Sequence, residues 1–412
     1  MRIPLLMALS LCILSVATDL YIYCDLRRNF PRRPWAARIY GIFAVICWIF
    51  LAVCLLMPRR DSDSGILFQM WGIYSYLSLL IPKTIFCLLS LIGQIPRLWK
   101  SRGVKLGMWA GLPLACLIFI SMWWGAAVTR RQIDVVDVDV YSPRLPQAFE
   151  GYRIAQISDL HTGTWGDDTS FIEALVDSVN AQKPDIIFFT GDIVNRQSSE
   201  LAPFLKALSR LKAPDGVYSI LGNHDYGDYV DWPSEADKRE NLQLLKNWQR
   251  QIGWHMLNNE RTQIVHEGDT IQLIGVENWG EPPFYQYGHL IDAYPLSRDS
   301  VYNLNDDRYK ILLTHNPEHW RREVTSISNI DLSLAGHTHA MQTIFRLGPW
   351  KWSPSALRYE QWGGLYQKQN PKGETLQIYV NIGAGEVGMP FRIGATPEIT
   401  ILTLRKGKIP QK

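Results

Sequence analysis

Five short polar clusters stand in the C-terminal two thirds of this sequence, and each of them directly follows an apolar stretch. The clusters are Asp159-Leu160-His161, Gly191-Asp192, Gly222-Asn223-His224-Asp225, His315-Asn316-Pro317 and Gly336-His337-Thr338-His339. Their carboxylate, amide and imidazole groups are hard or borderline metal ligands, and no thiolate lies among them. One such cluster is common by chance, but burying so many ionisable groups without a metal would be very costly. The set therefore favours Mn, Fe, Zn or Co over a structural zinc site.

The stretches between these clusters alternate in the manner of a layered α/β domain. Strands are predicted at residues 136–140, 152–158, 184–190, 216–221, 270–276, 309–313, 330–335, 376–381 and 398–404, and helices at 171–181, 201–211 and 235–252. Loops at the C-terminal ends of sheet strands are where α/β folds assemble their sites. The order predicts two packed sheets with helices outside them.

The ordered pattern resembles the calcineurin-like metallophosphoesterases over about residues 150–405. It reads SDLH, TGD, LGNHDY, LTHNPE and AGHTH. The glycine-rich tail from Asn381 to Gly385, with Arg392 and the run Pro397-Glu398-Ile399-Thr400, resembles a membrane-associated branch of that family. In that branch two glycines usually precede the glutamine of the last motif, whereas this chain has Ala340-Met341-Gln342. The resemblance implies an α/β/β/α sandwich and a metal-dependent phosphoric ester hydrolase, such as a phosphodiesterase.

The resemblance also implies two divalent metal ions, with Mn, Fe, Zn and Co all left open. One ion would be held by Asp159, His161, Asp192 and His339, and the other by Asp192, Asn223, His315 and His337. Asp192 would then bridge the two ions, which requires a side chain with two anionic oxygens. Such a pair, about 3.5–4 Å apart, activates water and neutralises the phosphate charge.

Two further residues, His224 and Asp225, receive roles from the resemblance. His224 would stabilise charge or protonate the leaving oxygen, and Asp225 would orient its ring and raise its pKa. Arg392 would hold a substrate phosphate through its planar guanidinium, although a surface or salt-bridge role is equally open. Gly191 and Gly222 would allow the tight turns that direct the next side chain toward the metals.

The first third of the chain has the composition of a membrane region. Apolar stretches at about residues 3–24, 39–57, 66–93 and 106–128 are each long enough to cross a bilayer, which takes about 20 residues. Buried helices of a soluble domain are the alternative, but four such runs would leave almost no amphipathic partner. We therefore expect a four-helix transmembrane region at 1–131, a linker and leading strand at 132–149, and the phosphoesterase domain at 150–412.

Charge is distributed unevenly along the chain. Residues 1–131 hold 15 Lys and Arg against 4 Asp and Glu, and the remainder holds 27 against 35. The acidic remainder argues against nucleic acid as a partner. The first and third connections carry nine basic residues and the opposite side five, which predicts that those connections are cytoplasmic. The protein is then a multi-pass protein of a plasma or inner membrane with an extracytoplasmic catalytic domain.

The leading functional hypothesis is a membrane-anchored phosphoesterase whose partners are membrane lipids and an amphiphilic or lipid-linked phosphate ester. The aromatic segment 345–366 either contacts lipid or packs on the domain. A pyrophosphohydrolase of a nucleotide-linked lipid, such as UDP-2,3-diacylglucosamine, is the alternative, and it would need a cytoplasmic site. The alternative from another class is an inactive metal-binding receptor or scaffold. The His224-Asp225 pair argues against it, because a scaffold has no need of a general acid. The oligomeric state is left open.

Overall fold

The computed structural model describes residues 5–56, 63–96, 103–282, 284–294, 304 and 306–410. The chain divides into two compact units. The first comprises Met1–Val128 and Gly388–Phe391, and the second comprises Thr129–Val387 and Arg392–Lys412.

The first unit consists of long apolar helices. Helix α1 spans Leu5–Asn29, α2 spans Pro34–Leu56, α3 spans Asp63–Gln94, and α4 spans Leu112–Ala127 directly after a π-helical turn at Gly107–Gly111. Within the described residues, four segments are long and apolar enough to cross a bilayer. Large side chains such as Ile42 and Leu117 are exposed on their outer faces, as in helices that lipid surrounds. The prediction of four transmembrane helices is confirmed.

Two charged residues inside the apolar helices form an ion pair. The ammonium of Lys83 in α3 lies 2.8 Å from a carboxylate oxygen of Asp19 in α1. Asp19 also accepts hydrogen bonds from the Tyr40 hydroxyl and the Trp48 indole N–H, both in α2. A charge within a bilayer is costly unless it is paired. The network therefore links three helices through one satisfied carboxylate.

The second unit contains fourteen strands and six helices among its described residues. The strands are β1 Asp134–Ser142, β2 Arg153–Ile157, β3 Ile186–Phe189, β4 Val217–Ser219, β5 Trp254–Met256, β6 Glu260–His266, β7 Asp269–Gly275, β8 Lys310–Leu313, β9 Leu332–Ala335, β10 Phe345–Leu347, β11 Trp350–Trp352, β12 Gly364–Gln369, β13 Thr375–Val380 and β14 Glu398–Lys406. The helices are α5 Ser170–Ala181, α6 Leu205–Leu208, α7 Glu235–Gln251, α8 Leu290–Ala293, α9 Pro317–His319 and α10 Thr325–Ile327.

Twelve of these strands form two six-stranded sheets. The first sheet has the order β1-β14-β2-β3-β4-β5, and the second has the order β12-β13-β9-β8-β7-β6. Strands β2, β3, β4 and β5 are parallel to one another, as are β7, β8, β9 and β13. The remaining strands, β10 and β11, form a separate antiparallel hairpin.

Apolar side chains pack in three layers around the sheets. A shared core between the sheets includes Ile154 and Phe188 of the first sheet and Leu273 and Ile311 of the second. The opposite face of the first sheet packs on α5, whose Phe171, Ile172, Leu175, Val176 and Val179 recur at helical spacing and are buried. The outer face of the second sheet packs on the segment that contains Trp320. The two-sheet α/β sandwich predicted from the sequence is confirmed.

One predicted helix differs in form. Residues 201–211 are predicted as an α-helix, but the structure has a 3₁₀-helix at Ser198–Phe204 followed by the single turn of α6. Pro203 lies inside this segment. Proline has no N–H to donate and clashes with the preceding turn of an α-helix, so a regular helix does not extend through it.

Candidate metal centre

The predicted metal ligands lie in loops that follow five strands of the two sheets. The loops after β2, β3 and β4 of the first sheet and after β8 and β9 of the second carry, in that order, Asp159 and His161, Asp192, Asn223, His315, and His337 and His339. Strands β2 to β4 are mutually parallel, and so are β8 and β9. Because parallel strands end at the same edge of their sheet, each sheet presents its ligands along one edge.

The first cluster consists of Asp159, His161 and His339, all buried. The Nε2 atoms of His161 and His339 are 3.0 Å apart, and Nε2 of His339 is 3.2 Å from Oδ1 of Asp159. Two imidazole nitrogens that face each other share at most one proton, whereas a cation between them satisfies both lone pairs. The geometry therefore fits a cation held by two imidazoles and a carboxylate.

The second cluster consists of Asp192, His315 and His337. Oδ2 of Asp192 lies 3.1 Å from Nε2 of His315, which in turn lies 3.2 Å from Nδ1 of His337. The same carboxylate oxygen lies 3.6 Å from Nε2 of His161 in the first cluster. Asp192 thus reaches both clusters at once.

Asn223 supplies a further acceptor beside Asp192. Its amide nitrogen donates to the Tyr229 hydroxyl at 2.8 Å, while its buried Oδ1 has no hydrogen-bond partner among the described residues. A buried amide oxygen without a partner is costly. It is also a ligand atom that Mn, Zn and related ions accept.

In two of the histidines, a hydrogen bond to one ring nitrogen leaves the lone pair of the other ring nitrogen directed toward the cluster. Nδ1 of His315 lies 2.8 Å from the Thr190 carbonyl, which can only accept, so Nδ1 carries the proton and Nε2 is free for a cation. Nε2 of His337 lies 3.0 Å from the Tyr359 hydroxyl, which leaves Nδ1 toward the cluster. Such outer partners are typical of metal-binding histidines. The residues present thus fit a pair of divalent metal ions.

Five of the seven predicted ligands adopt a left-handed backbone conformation. Their φ angles are 54° at Asp159, 45° at His161, 60° at Asp192, 71° at His337 and 49° at His339. For residues with a side chain this conformation costs about 1–2 kcal/mol each, although Asp and His accept it more readily than most. Strain of this kind persists where the surrounding structure fixes it, commonly at functional sites.

Glycines let the loops approach the two carboxylates. A Cβ atom at Gly222 would lie 2.2 Å from Oδ1 of Asp192, and one at Gly336 would lie 2.2 Å from Oδ2 of Asp159. Gly191 has a φ of 96°, which agrees with a turn before Asp192. At Gly222 the requirement is space rather than a left-handed turn.

The ring of His224 lies beside the first cluster and is held by a main-chain carbonyl. Its Nδ1 is 2.6 Å from the carbonyl oxygen of Asn195, and it packs edge-on against His161 with ring centroids 4.8 Å apart. Tyr229 covers its other side, with ring centroids 4.4 Å apart. The Asn195 carbonyl fixes the proton on Nδ1 and leaves Nε2 available.

The prediction that Asp225 orients the His224 ring is wrong. The Asp225 carboxylate is fully buried and accepts hydrogen bonds from main-chain N–H groups of both neighbouring loops, those of Asp192, Ile193, Val194 and Gly222. These bonds occupy its oxygens, so Asp225 holds the loops after β3 and β4 together rather than the histidine ring.

The prediction that Arg392 binds a substrate phosphate is also wrong. Its side chain is completely buried, and its guanidinium donates to the carbonyl oxygens of Ile382, Gly385 and Ala395. A guanidinium that is enclosed and bonded in this way cannot reach a phosphate in solvent. It lies 3.3 Å from Nδ1 of His339, so it packs behind the first cluster.

The loop at Ala340-Met341-Gln342 has a left-handed backbone although it contains no glycine. These three residues have φ angles of 50°, 44° and 57°, the region that favours glycine. The Oγ of Ser353 donates to the Ala340 carbonyl and supports the loop.

Sequence reasoning missed four residues that support the site. Thr190 and Asn195 act through their carbonyl oxygens, which no residue type reveals. Tyr229 and Tyr359 act through their hydroxyls on Asn223 and His337. Tyr229 lies four residues after Asp225, so its proximity to the third polar cluster of the sequence was the one available signal.

Two family models match this chain. Residues 152–341 match the family described as calcineurin-like phosphoesterase, and residues 1–130 match the family described as probable calcineurin-like phosphoesterase, transmembrane domain. The chain thus carries a calcineurin-like phosphoesterase domain preceded by a transmembrane phosphoesterase domain.

This phosphoesterase is similar to curated proteins from distant organisms. A transmembrane protein with metallophosphoesterase domain from Danio rerio is 27% identical over 391 residues, 91% of this chain and 82% of the relative. An uncharacterized metallophosphoesterase from Campylobacter jejuni is 25% identical over 397 residues, 95% of each chain. One from Bacillus subtilis is 28% identical over 279 residues, 67% of this chain and 86% of the relative. The chain is thus a membrane-associated phosphoester hydrolase with two clusters suited to metal ions.

Burial and neighbouring charges separate the pKa values of the two histidines in the second cluster of this phosphoesterase. Burial lowers the pKa of His337 to about 3, and the adjacent His315 contributes to the decrease. Burial also acts to lower the pKa of His315, but the Asp192 carboxylate has the larger effect and raises the pKa of His315 to about 9. In the metal-free protein, therefore, His315 carries a second proton, on Nε2, at neutral pH.

Metal affinity should consequently depend on pH. A cation needs the Nε2 lone pair of His315, so binding releases its proton at any pH below about 9. We expect the apparent affinity for Mn or Zn to rise about tenfold per pH unit from pH 6.5 to 8.5. Chelator competition with the metal-stripped full-length protein in detergent measures this, and an affinity that is constant over the range would contradict it.

The substitution Asp192→Asn should abolish hydrolysis and reduce the bound metal to one ion or fewer per chain. The amide offers only one neutral oxygen to two cations, whereas the carboxylate reaches both clusters. Elemental analysis and a turnover assay measure the two effects. The exposed Asp167→Asn variant serves as the control and should match the wild type. Two bound ions with normal turnover in Asp192→Asn would refute the assignment.

Proposed function

We propose that this phosphoesterase uses two divalent metal ions to hydrolyse the phosphate ester of an amphiphilic or lipid-linked substrate. The observation that carries this proposal is the pair of His and Asp clusters joined by Asp192. We assign the ions to Asp159, His161, Asp192, Asn223, His315, His337 and His339. Manganese is among the metals that this donor set suits.

The chain's own groups account for binding and proton transfer. Divalent ions held at the two clusters supply neutralisation of phosphate charge and an activated water. Nε2 of His224 is the atom on which a proton can be exchanged with the leaving oxygen, because Nδ1 is committed to the Asn195 carbonyl. Burial lowers the pKa of His224, and the carboxylate of Asp192 acts in the opposite direction. The His224 residue as a whole is only partly buried, so a substrate can approach it.

The variant His224→Ala should keep both metal ions and lose activity. A positioned proton donor contributes about two to four orders of magnitude to the rate, so turnover of a soluble phosphodiester should fall by that factor. His255→Ala is the matched control, because His255 is exposed on β5 and lies outside both clusters. If His224→Ala loses metal, His224 is a ligand and the assignment fails.

The hairpin of β10 and β11 supports an amphiphilic substrate. One of its faces carries the cross-strand pairs Phe345 with Trp352 and Leu347 with Trp350, and the other carries Arg346 opposite Lys351. Leu347 is 78% exposed and Trp350 54%. A ribbon with an apolar face, tryptophans and basic side chains is suited to the boundary between lipid headgroups and acyl chains.

The hairpin is attached to the loop that carries two of the proposed ligands. It begins six residues after His339, and the N–H of Ile344 just before it donates to the Ile393 carbonyl. A phosphate ester that remains in a bilayer could thus be presented to the site while the hairpin contacts the same surface.

The proposed substrate class is tested by comparing hydrolysis of a substrate in vesicles with hydrolysis of a soluble substrate. The double variant Leu347→Glu, Trp350→Glu should lower hydrolysis of a phospholipid phosphate in vesicles at least tenfold, because it puts charge on the apolar face. It should leave a soluble aryl phosphodiester unaffected. Val265→Glu, at an exposed apolar position of β6, is the control. Equal activity of the double variant and the wild type on vesicles would refute an amphiphilic substrate presented by the hairpin.

We further propose that the catalytic domain is extracytoplasmic and that the chain comprises a transmembrane region at 1–131, a linker and leading strand at 132–149 and the catalytic domain at 150–412. The nine-to-five excess of basic residues on the first and third connections supports this orientation. The six cysteines all lie between residues 12 and 116, so the catalytic domain has no thiol to oxidise outside the cell.

Cysteine labelling in intact cells measures the orientation. After the native cysteines are replaced, Lys212→Cys in the catalytic domain should react with a membrane-impermeant maleimide, and Asn29→Cys at the end of α1 should not. Both positions are exposed. Spheroplasts are used if an outer membrane blocks access. The opposite pattern would place the site in the cytoplasm and favour a nucleotide-linked lipid such as UDP-2,3-diacylglucosamine as the substrate.

A further inference from the structure

The transmembrane unit contains a cavity that the phosphoesterase chemistry does not use. It has a volume of about 650 Å³, within the range of about 300–1,000 Å³ that is usual for small-molecule sites. Residues of all four helices line it, mainly the second half of α1, the second half of α3 and the first half of α4. We propose that this cavity binds one lipid with an anionic phosphate headgroup, with its hydrocarbon chain between the helices.

The length and chemistry of the wall suit a hydrocarbon chain. The lining along α3 extends from Ser78 to Gln94, about 24 Å at 1.5 Å per residue. One leaflet of a bilayer has a hydrocarbon layer of about 15 Å, half of the total. The middle of the wall is apolar, with Leu79 and Phe86 of α3 facing the same cavity as Leu112 and Phe119 of α4.

Two interruptions of helix geometry occur along this wall. Pro82 lies inside α3, and the chain enters α4 through the π-helical turn at Gly107–Gly111. A proline removes one helical hydrogen bond, and a π-helical turn widens the helix, often at functional sites. Pro82 and Gly107 both line the cavity. The sequence thus departs from regular α-helical geometry at two positions along the wall of the cavity.

Polar and charged groups collect at the end of the cavity where α1 ends and α4 begins. The charged lining residues are Asp25, Arg28, Lys83 and Lys105. Lys83 is already paired with Asp19 at 2.8 Å, deeper in the bundle. The other three give an excess of one positive charge at this end. An arginine and a lysine together bind a phosphate, the arginine through its planar fork and the lysine as a point charge.

The combination of a largely apolar wall that is longer than one leaflet and a cationic end fits a phosphate joined to a hydrocarbon chain. Bulk lipid would cover the outer faces of the helices without selection for its headgroup. A bound lipid should instead be retained according to its charge and should depend on Arg28 and Lys105. This binding does not depend on the proposed hydrolytic function, since its residues lie outside the metal clusters.

Native mass spectrometry of the full-length protein in detergent tests the proposal. The purified, delipidated protein is titrated with phosphatidylglycerol and, separately, with phosphatidylcholine. We expect one retained phosphatidylglycerol per chain and at least tenfold weaker retention of phosphatidylcholine. Inorganic phosphate at millimolar concentration should not displace the lipid, because the hydrocarbon chain supplies most of the binding.

Matched variants separate the cavity from the rest of the helix surface. Arg28→Gln with Lys105→Gln should lower phosphatidylglycerol retention at least tenfold. Cys116→Trp, which fills the cavity from α4, should lower retention of both lipids, whereas Leu117→Trp, one residue away on the exposed face, should match the wild type. Monodisperse elution of each variant in detergent verifies that it is folded. If Cys116→Trp does not fold, the glutamine pair still tests the proposal.

Three results would overturn the proposal. They are equal retention of the two lipids by the wild type, retention that is unaffected by the glutamine pair, and displacement of the lipid by inorganic phosphate alone. The first two would mean that the cavity holds bulk lipid without recognition of the headgroup. The third would mean that the ligand is a free anion.

Discussion

One carboxylate oxygen lies between the two metal clusters, and the organisation of the site depends on it. Oδ2 of Asp192 is 3.1 Å from His315 and 3.6 Å from His161, while Oδ1 accepts the N–H of His224 at 2.8 Å. A carboxylate buried to this degree is stable only among cations and donors. Its neighbours therefore approach closely, through glycine at positions 191 and 222 and through left-handed backbone at the ligands themselves.

The sequence alone could predict which His and Asp side chains meet in the two clusters, because their residue types are distinctive and each follows an apolar strand. It could not predict the partners of Asp225 and Arg392, since both side chains bind main-chain atoms, which every residue possesses. Short strands such as β5 and the largely polar β6 also escaped prediction. Their pairing comes from neighbouring strands in the sheet and not from an apolar pattern of their own.

In the transmembrane unit, too, residue types predict the elements but not the contacts between them. The apolar runs were sufficient to predict four helices, and Asp19 and Lys83 were recognisable as charges within them. That these two residues meet, and that Tyr40 and Trp48 complete the carboxylate's hydrogen bonds, depends on how the helices pack. Helix packing also creates the cavity, which no local pattern in the sequence marks.

Each cluster draws side chains from both sheets, and this has a consequence for folding. Asp159 and His161 come from the first sheet and meet His339 of the second, while Asp192 meets His315 and His337 across the same boundary. Ions bound there would act as cross-links between the two halves of the sandwich. Binding to the native state alone adds to its stability by mass action. Chelation would then loosen the domain first along this edge, so that protease sensitivity would report metal loading.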